Sequence, residues 1–101
     1  MYIVVSKWAI KPGKEDAFKA ASEKMRDFMR SQPASQMMEG FQCADGSAMA
    51  IHGYADEASY KKLMEAGGAF ERAAAEHGIE DCAEWQWSER GESLDRETAS
   101  A

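Results

Sequence analysis

Gln36-Met37-Met38-Glu39-Gly40-Phe41-Gln42-Cys43-Ala44-Asp45-Gly46-Ser47-Ala48-Met49-Ala50-Ile51-His52-Gly53-Tyr54 is the stretch whose reading decides the fold. Asp45-Gly46 is among the dipeptides most favoured in a tight type I′ turn, and apolar residues recur on both sides of it, so 36–44 and 47–54 are expected to pair as an antiparallel hairpin. An even-length loop centred on Asp45-Gly46 pairs residues whose numbers sum to 91. Cys43 then faces Ala48, Phe41 faces Ala50, Glu39 faces His52 and Met37 faces Tyr54.

Upstream, Tyr2 to Ile10 is rich in β-branched and aromatic residues and reads as a strand. Val4, Ser6, Trp8 and Ile10 lie on one face, with Ile3, Val5, Lys7 and Ala9 on the other. Both faces are apolar enough that either could look toward the helices. Lys11-Pro12-Gly13 breaks the strand. From Lys14 to Arg30, the residues Ala17, Phe18, Ala21, Met25, Phe28 and Met29 recur on one helical face, and Pro33 stops the helix. Downstream, Asp56 is a good N-cap for a helix over Glu57 to Ala66 with Tyr60, Leu63 and Met64 on its apolar face. Gly67-Gly68 then interrupts, either as a lid hinge or as a plain junction. A short helix over Phe70 to His77 ends at a C-cap Gly78. Ile79 to Arg90 reads as the last strand, with Ile79, Ala83, Trp85 and Trp87 on one face. The polar segment Glu92 to Ala101 is expected to be a flexible tail, so the domain is 1–91 and the tail 92–101.

The order is βαββ(αα)β, an α+β, ferredoxin-like plan with a four-stranded antiparallel sheet and helices on one face. The other sheet face needs cover, and a second copy of the sheet supplies it, so a homodimer built through sheet faces is expected.

Composition narrows the function. The chain of 101 residues has twelve Lys plus Arg against eighteen Asp plus Glu, a net charge of -6, and no basic run, so nucleic acid and anionic membranes are excluded as expected partners. The apolar stretch Tyr2 to Val5 is too short for a secretory signal, and nothing approaches a membrane span. Cys43 and Cys82 stand far apart with no metal-ligand spacing, which fits reduced thiols in the cytoplasm and no metal site.

Seven Met, three Trp, three Tyr and four Phe are many for so short a chain, and they either fill a core or line a pocket. Three Trp lie on the first and last strands, which this topology places side by side, so Trp8, Trp85 and Trp87 should cluster as pocket wall, core or interface. Ser6 sits between Val4 and Trp8 in an apolar column and can position a ligand or merely relieve crowding. A carboxylate beside an imidazole fixes the tautomer and favours the protonated ring, so Glu39 and His52 are the candidate catalytic pair, or else an ordinary cross-strand pair. Tyr54, Tyr60, Met64 and Phe70 around His52 are the remaining candidates for contact with a planar ligand.

The stretches Ile3-Val4-Val5-Ser6 to Ile10-Lys11-Pro12-Gly13-Lys14, Glu39-Gly40-Phe41 before the turn, and Tyr54-Ala55-Asp56-Glu57-Ala58 resemble the antibiotic biosynthesis monooxygenase-like family of the dimeric α/β barrel superfamily. The resemblance implies a homodimer with a pocket between sheet and helices in each subunit. It also implies oxidation of small aromatic or quinol-like molecules by dioxygen with no metal or flavin cofactor, degradation of heme, or ligand binding alone. The pocket Asn, Trp and His of heme-degrading relatives fall on Ser6, Leu63 and Ala74, which argues against heme degradation. Leu63 and Ala69 stand near the places where quinol-oxidising relatives carry His.

Two functions are therefore weighed. One is a cofactor-independent monooxygenase acting on a small aromatic or quinol-like substrate, with His52 as base, Glu39 orienting it, Trp8, Tyr60 and Trp85 as walls and Ser6 as a positioning group. The alternative is a non-catalytic dimeric small-ligand-binding or accessory protein.

Overall fold

Strand β1, Tyr2–Ile10, runs through the middle of a sheet ordered β2-β3-β1-β4, where β2 is Ser35–Gln42, β3 is Ala48–Tyr54 and β4 is Ala83–Glu92. The computed structural model describes residues 1–95. All neighbouring strands are antiparallel, and helices α1 (Glu15–Arg30), α2 (Glu57–Met64), α3 (Ala69–His77) and α4 (Ile79–Cys82) complete the α+β, ferredoxin-like fold. The residues expected in the tail divide: Glu92 pairs with Tyr2 and the Ser93 amide donates to the Met1 carbonyl, while 96–101 lie outside the described residues.

Local chemistry sets the element ends. Gly13 takes a positive φ of 78° in the turn after β1. Glu15 and Asp16 in the first turn of α1 and Arg30 in its last complement the helix dipole. The Asp56 carboxylate accepts the Ser59 amide at 2.8 Å and caps α2. Gly67-Gly68 is a tied junction: the Gly67 amide donates to Glu71 and its carbonyl accepts from Arg72. Gly78, with φ 69°, ends α3 but does not begin a strand. One further helical turn, α4, follows and closes through the Asp81 amide on the Gly78 carbonyl, so the last strand starts at Ala83 rather than Ile79.

Two single-residue irregularities change which side chains share a face. The hairpin loop is Ala44-Asp45-Gly46, flanked by Cys43, whose amide donates to the Ser47 carbonyl at 2.7 Å. Asp45 has negative φ, so a type I′ turn is not formed; the turn 43–46 instead puts only Gly46 in the positive-φ region, at 90°. The Asp45 carboxylate holds this shape by accepting both the amide and the hydroxyl of Ser47, and these bonds lower its pKa to about 2. A three-residue loop shifts the register by one: Gly40 faces Ala50, Met38 faces His52 and Glu39 faces Ile51. The expected Glu39–His52 pair is therefore corrected. Along β4 the register slips between Lys7 and Trp8, leaving Gln86 as the extra residue. Trp85 pairs with Trp8 and Trp87 with Lys7, so the two tryptophans face opposite sides of the sheet rather than sharing one.

The helix-facing side carries the core: Tyr2, Val4, Met29, Met38, Tyr54 and Leu63 form one cluster, and Ala21, Met25, Ala73, Ala74 and Ile79 another. Phe28 and Phe70 touch both. On the far side, Ile3, Val5, Met49 and Ile51 are half-buried, while Phe41 and Trp87 are 50% and 43% exposed.

Candidate functional site

The floor of a cavity of about 660 Å³ between sheet and helices can be read rung by rung from the register. Across the sheet, one rung is Met38, His52, Val4 and Arg90; the next is Gly40, Ala50, Ser6 and Ser88; the next is Gln42, Ala48, Trp8 and Trp85. All twelve line the cavity. The roof comes from Phe18, Met25, Arg26 and Met29 of α1, with Tyr60, Met64, Phe70 and Ile79 from the later helices. Toward Ile10 the lining carries Glu15, Asp16 and Glu80 together with Lys19.

Both cavity tryptophans have their polar atom engaged. The Trp8 indole N–H donates to Ser6 Oγ at 3.1 Å, and the Trp85 indole to Ser88 Oγ at 2.8 Å. Ser6 and Ser88 are themselves cross-strand partners. Accepting from Trp8 leaves the buried Ser6 its own O–H to donate. The Trp85 ring, 56% exposed, gives the cavity a broad flat wall.

His52 is the titratable centre. Burial lowers its pKa to about 4, so the ring is neutral at physiological pH. Its Nδ1 lies 3.1 Å from the Tyr54 hydroxyl, and the rings stack at 6.0 Å. Burial, and then neighbouring Tyr60, raises the Tyr54 pKa, which keeps that hydroxyl protonated. Tyr60 continues the aromatic line, 5.3 Å from Tyr54 and 5.4 Å from Tyr2. With Nδ1–H donating to Tyr54, Nε2 is a lone-pair acceptor; with Tyr54 donating, Nε2–H is a donor.

Of the residues expected from sequence, Ser6, Trp8, His52, Tyr60, Met64, Phe70 and Trp85 meet on the cavity wall. Tyr54 stands behind His52, 2% exposed and off the wall. Glu39 is not in the cavity: its exposed carboxylate lies 3.8 Å from Arg30, because the loop turns it to the other face. The ring that was expected to be favoured as imidazolium is instead held neutral.

Among solved structures, an antibiotic biosynthesis monooxygenase superposes with a TM-score of 0.75 at 16% identity, over 94% of this chain and 100% of that one. SnoaB, a cofactor-independent oxygenase from Streptomyces nogalater, gives 0.69 at 18% identity, over 96% and 94% of the two chains. A protein from Mycobacterium tuberculosis gives 0.74 at 16% identity, over 94% and 96%. The chain has the antibiotic biosynthesis monooxygenase fold. No family model and no curated protein matches the sequence.

Within this antibiotic biosynthesis monooxygenase fold, Arg26, Met38, Gly40, Ser88 and Arg90 were absent from the sequence-derived site. Met38 and Gly40 follow once the three-residue loop is known, and Ser88 and Arg90 once the Gln86 bulge is known. Arg26 was legible in principle, one position from Met25 on the margin of the apolar face of α1. No helix among the described residues is long and apolar enough to cross a membrane.

Proposed function

We propose that the protein is a homodimer that oxidises a small hydroxyaromatic or quinol-like molecule with dioxygen, without metal or flavin. The observation that carries this reading is the neutral imidazole of His52 on the wall of an aromatic cavity, with Tyr54 engaging Nδ1. In the tautomer that donates Nδ1–H to Tyr54, Nε2 takes the substrate hydroxyl proton. The resulting arenolate passes an electron to dioxygen, and the radical pair joins at a ring carbon as a hydroperoxide. Loss of water leaves a carbonyl there: one oxygen atom stays in the product, the other leaves as water, and the substrate supplies all the electrons. Trp8, Trp85 and Tyr60 wall the planar ring, and Ser6 offers its hydroxyl proton to it. Two sheets packed through Phe41, Ile51 and Trp87 would cover the apolar far face.

Magnitudes limit the substrate. Moving a proton from a phenol of pKa about 10 to an imidazole of pKa about 4 costs about 8 kcal/mol unless the product ions stabilise each other. The reading therefore calls for a substrate with an acidified hydroxyl. The displacement of Glu39 from His52 removes the carboxylate that would raise ring basicity, and this favours the second reading, a ligand-binding protein without turnover.

Oxygen uptake with a panel of hydroquinones and anthrones under air separates the two. Consumption above buffer that falls at least about a hundredfold in His52→Gln supports the enzyme, a hundredfold being the low end for a general base. No uptake removes the enzyme reading, and an undiminished rate in the variant removes His52 as the base.

A further inference from the structure

Two arginines one helical turn apart on α1 lie along β2, and they are treated differently. Arg30 donates to the Met38 carbonyl at 2.8 Å and lies 3.8 Å from the Glu39 carboxylate. Arg26, half-buried and on the cavity wall, has no hydrogen bond or ion pair from its guanidinium among the described residues. It lies across the backbone of Gly40, where a Cβ would stand 3.1 Å from Nη1 and 3.3 Å from Cδ. A glycine at that point leaves the guanidinium room over the sheet.

A half-buried guanidinium without a counter-ion is costly, and a ligand anion is the natural partner for its donors. Gly40 is the diagonal neighbour of His52 in the hairpin, about 7–8 Å away, which a fused two-ring arene spans. The cavity carboxylates Glu15 and Asp16 sit at the other end of α1, Asp16 about 15 Å from Arg26 along the helix axis. The lining thus carries three carboxylates and one ammonium, Lys19, toward the Ile10 end, and the guanidinium of Arg26 over Gly40. Arg90, on the rung of His52, adds a second guanidinium to the lining.

We infer that the cavity selects planar aromatics bearing an anionic oxygen, a carboxylate or an acidic phenolate, and that Arg26 is the side chain that recognises it. The inference rests on the cavity being the ligand site, as under the proposed function, and it supplies the acidified substrate which that proposal needs.

Calorimetric titration of the full chain with 1-hydroxy-2-naphthoate and with 1-naphthol tests it, in the wild type, Arg26→Gln and Gly40→Ala. The acid is expected to bind about tenfold tighter than the naphthol, as for one hydrogen bond to a charged group. Arg26→Gln should lower the acid's affinity by about that factor and the naphthol's by less than about twofold. Gly40→Ala, which keeps the arginine in the chain but crowds its guanidinium off the sheet, should weaken the acid in the same direction. Equal affinity of the two ligands in the wild type, or equal losses in Arg26→Gln, overturns the inference. If equal affinity accompanies intact oxygen uptake, only the anion preference has failed; if neither ligand binds, the cavity reading fails with it.

Discussion

Acidification from pH 8 to pH 4 should destabilise the protein through His52 by an amount the structure fixes. The ring titrates near its ordinary pKa of about 6.5 in the unfolded chain and at about 4 in the folded one, because burial opposes the charge and Glu39 is turned to the other face of the sheet. The unfolded chain therefore takes up the proton first. Stability from this group is complete above pH 6.5 and is lost as the pH falls toward the folded value. Linkage gives a loss of about 2 kcal/mol at pH 5 and about 3 kcal/mol at pH 4, a large share of a domain's usual margin. Urea denaturation of the wild type and His52→Gln across this range isolates the effect as a difference of differences. Asp45 and Asp56, whose pKa values are lowered by bonds from Ser47 and Ser59, titrate in both proteins and cancel. A flat difference would show that the ring is not held neutral by burial. A difference of opposite sign, with His52 favouring acid stability, would mean that a carboxylate faces it, as an even-length hairpin loop would place Glu39.

Two more changes probe the proposed assembly and the helical layer. Trp87→Glu puts a charge on the far sheet face, beside Lys7 on β1 and away from the cavity; sedimentation should show a shift from dimer to monomer with the far-UV spectrum preserved, and an unshifted dimer refutes that face as the interface. Asp56→Ala removes the cap of α2 and should lower unfolding stability by about 1 kcal/mol in urea titration, a null effect showing that the Ser59 amide finds another acceptor.

Periodicity made the element order legible. The apolar alternation of Tyr2 to Ile10 and the helical spacing from Ala17 to Met29 are set by burial against one partner layer, so they survive in the sequence. Boundaries at Gly67, Gly68 and Gly78 were legible for the same reason that the structure uses them, two of the three having positive φ. What escaped was the single-residue insertion. The loop at Asp45-Gly46 is decided by side-chain bonds from Ser47 to Asp45, and the dipeptide alone suits either an even or an odd loop. The bulge at Gln86 has no local signature; it lets Trp85 stand beside Trp8 while Ser88 stays beside Ser6.

These insertions matter more for chemistry than for fold, because a strand moved by one residue keeps its hydrogen bonds and exchanges its faces. With an even loop, the cavity would pair His52 with a carboxylate and present a charged base. With the odd loop, Glu39 goes outward toward Arg30, Met38 and Gly40 come inward, and Gly40 makes room for Arg26. The cavity wall then carries Arg26 over Gly40 and Arg90 two strands across from His52, while burial keeps the ring itself neutral. A weak base and a cation lining one cavity suit a ligand that arrives as an anion or ionises readily, since the guanidinium stabilises the negative oxygen and the imidazole need only accept or share a proton. Inserting Gly after Gly46 should slide β2 by one residue against β3 if the turn, keeping its three-residue length, rather than the core sets the register. Glu39 would then face His52, the His52 pKa measured by NMR titration should rise from about 4 toward or above the ordinary histidine value, and the preference for 1-hydroxy-2-naphthoate over 1-naphthol should disappear. An insertion variant that keeps the low histidine pKa would show that burial of Met38 holds the register, with the extra residue bulging from the loop.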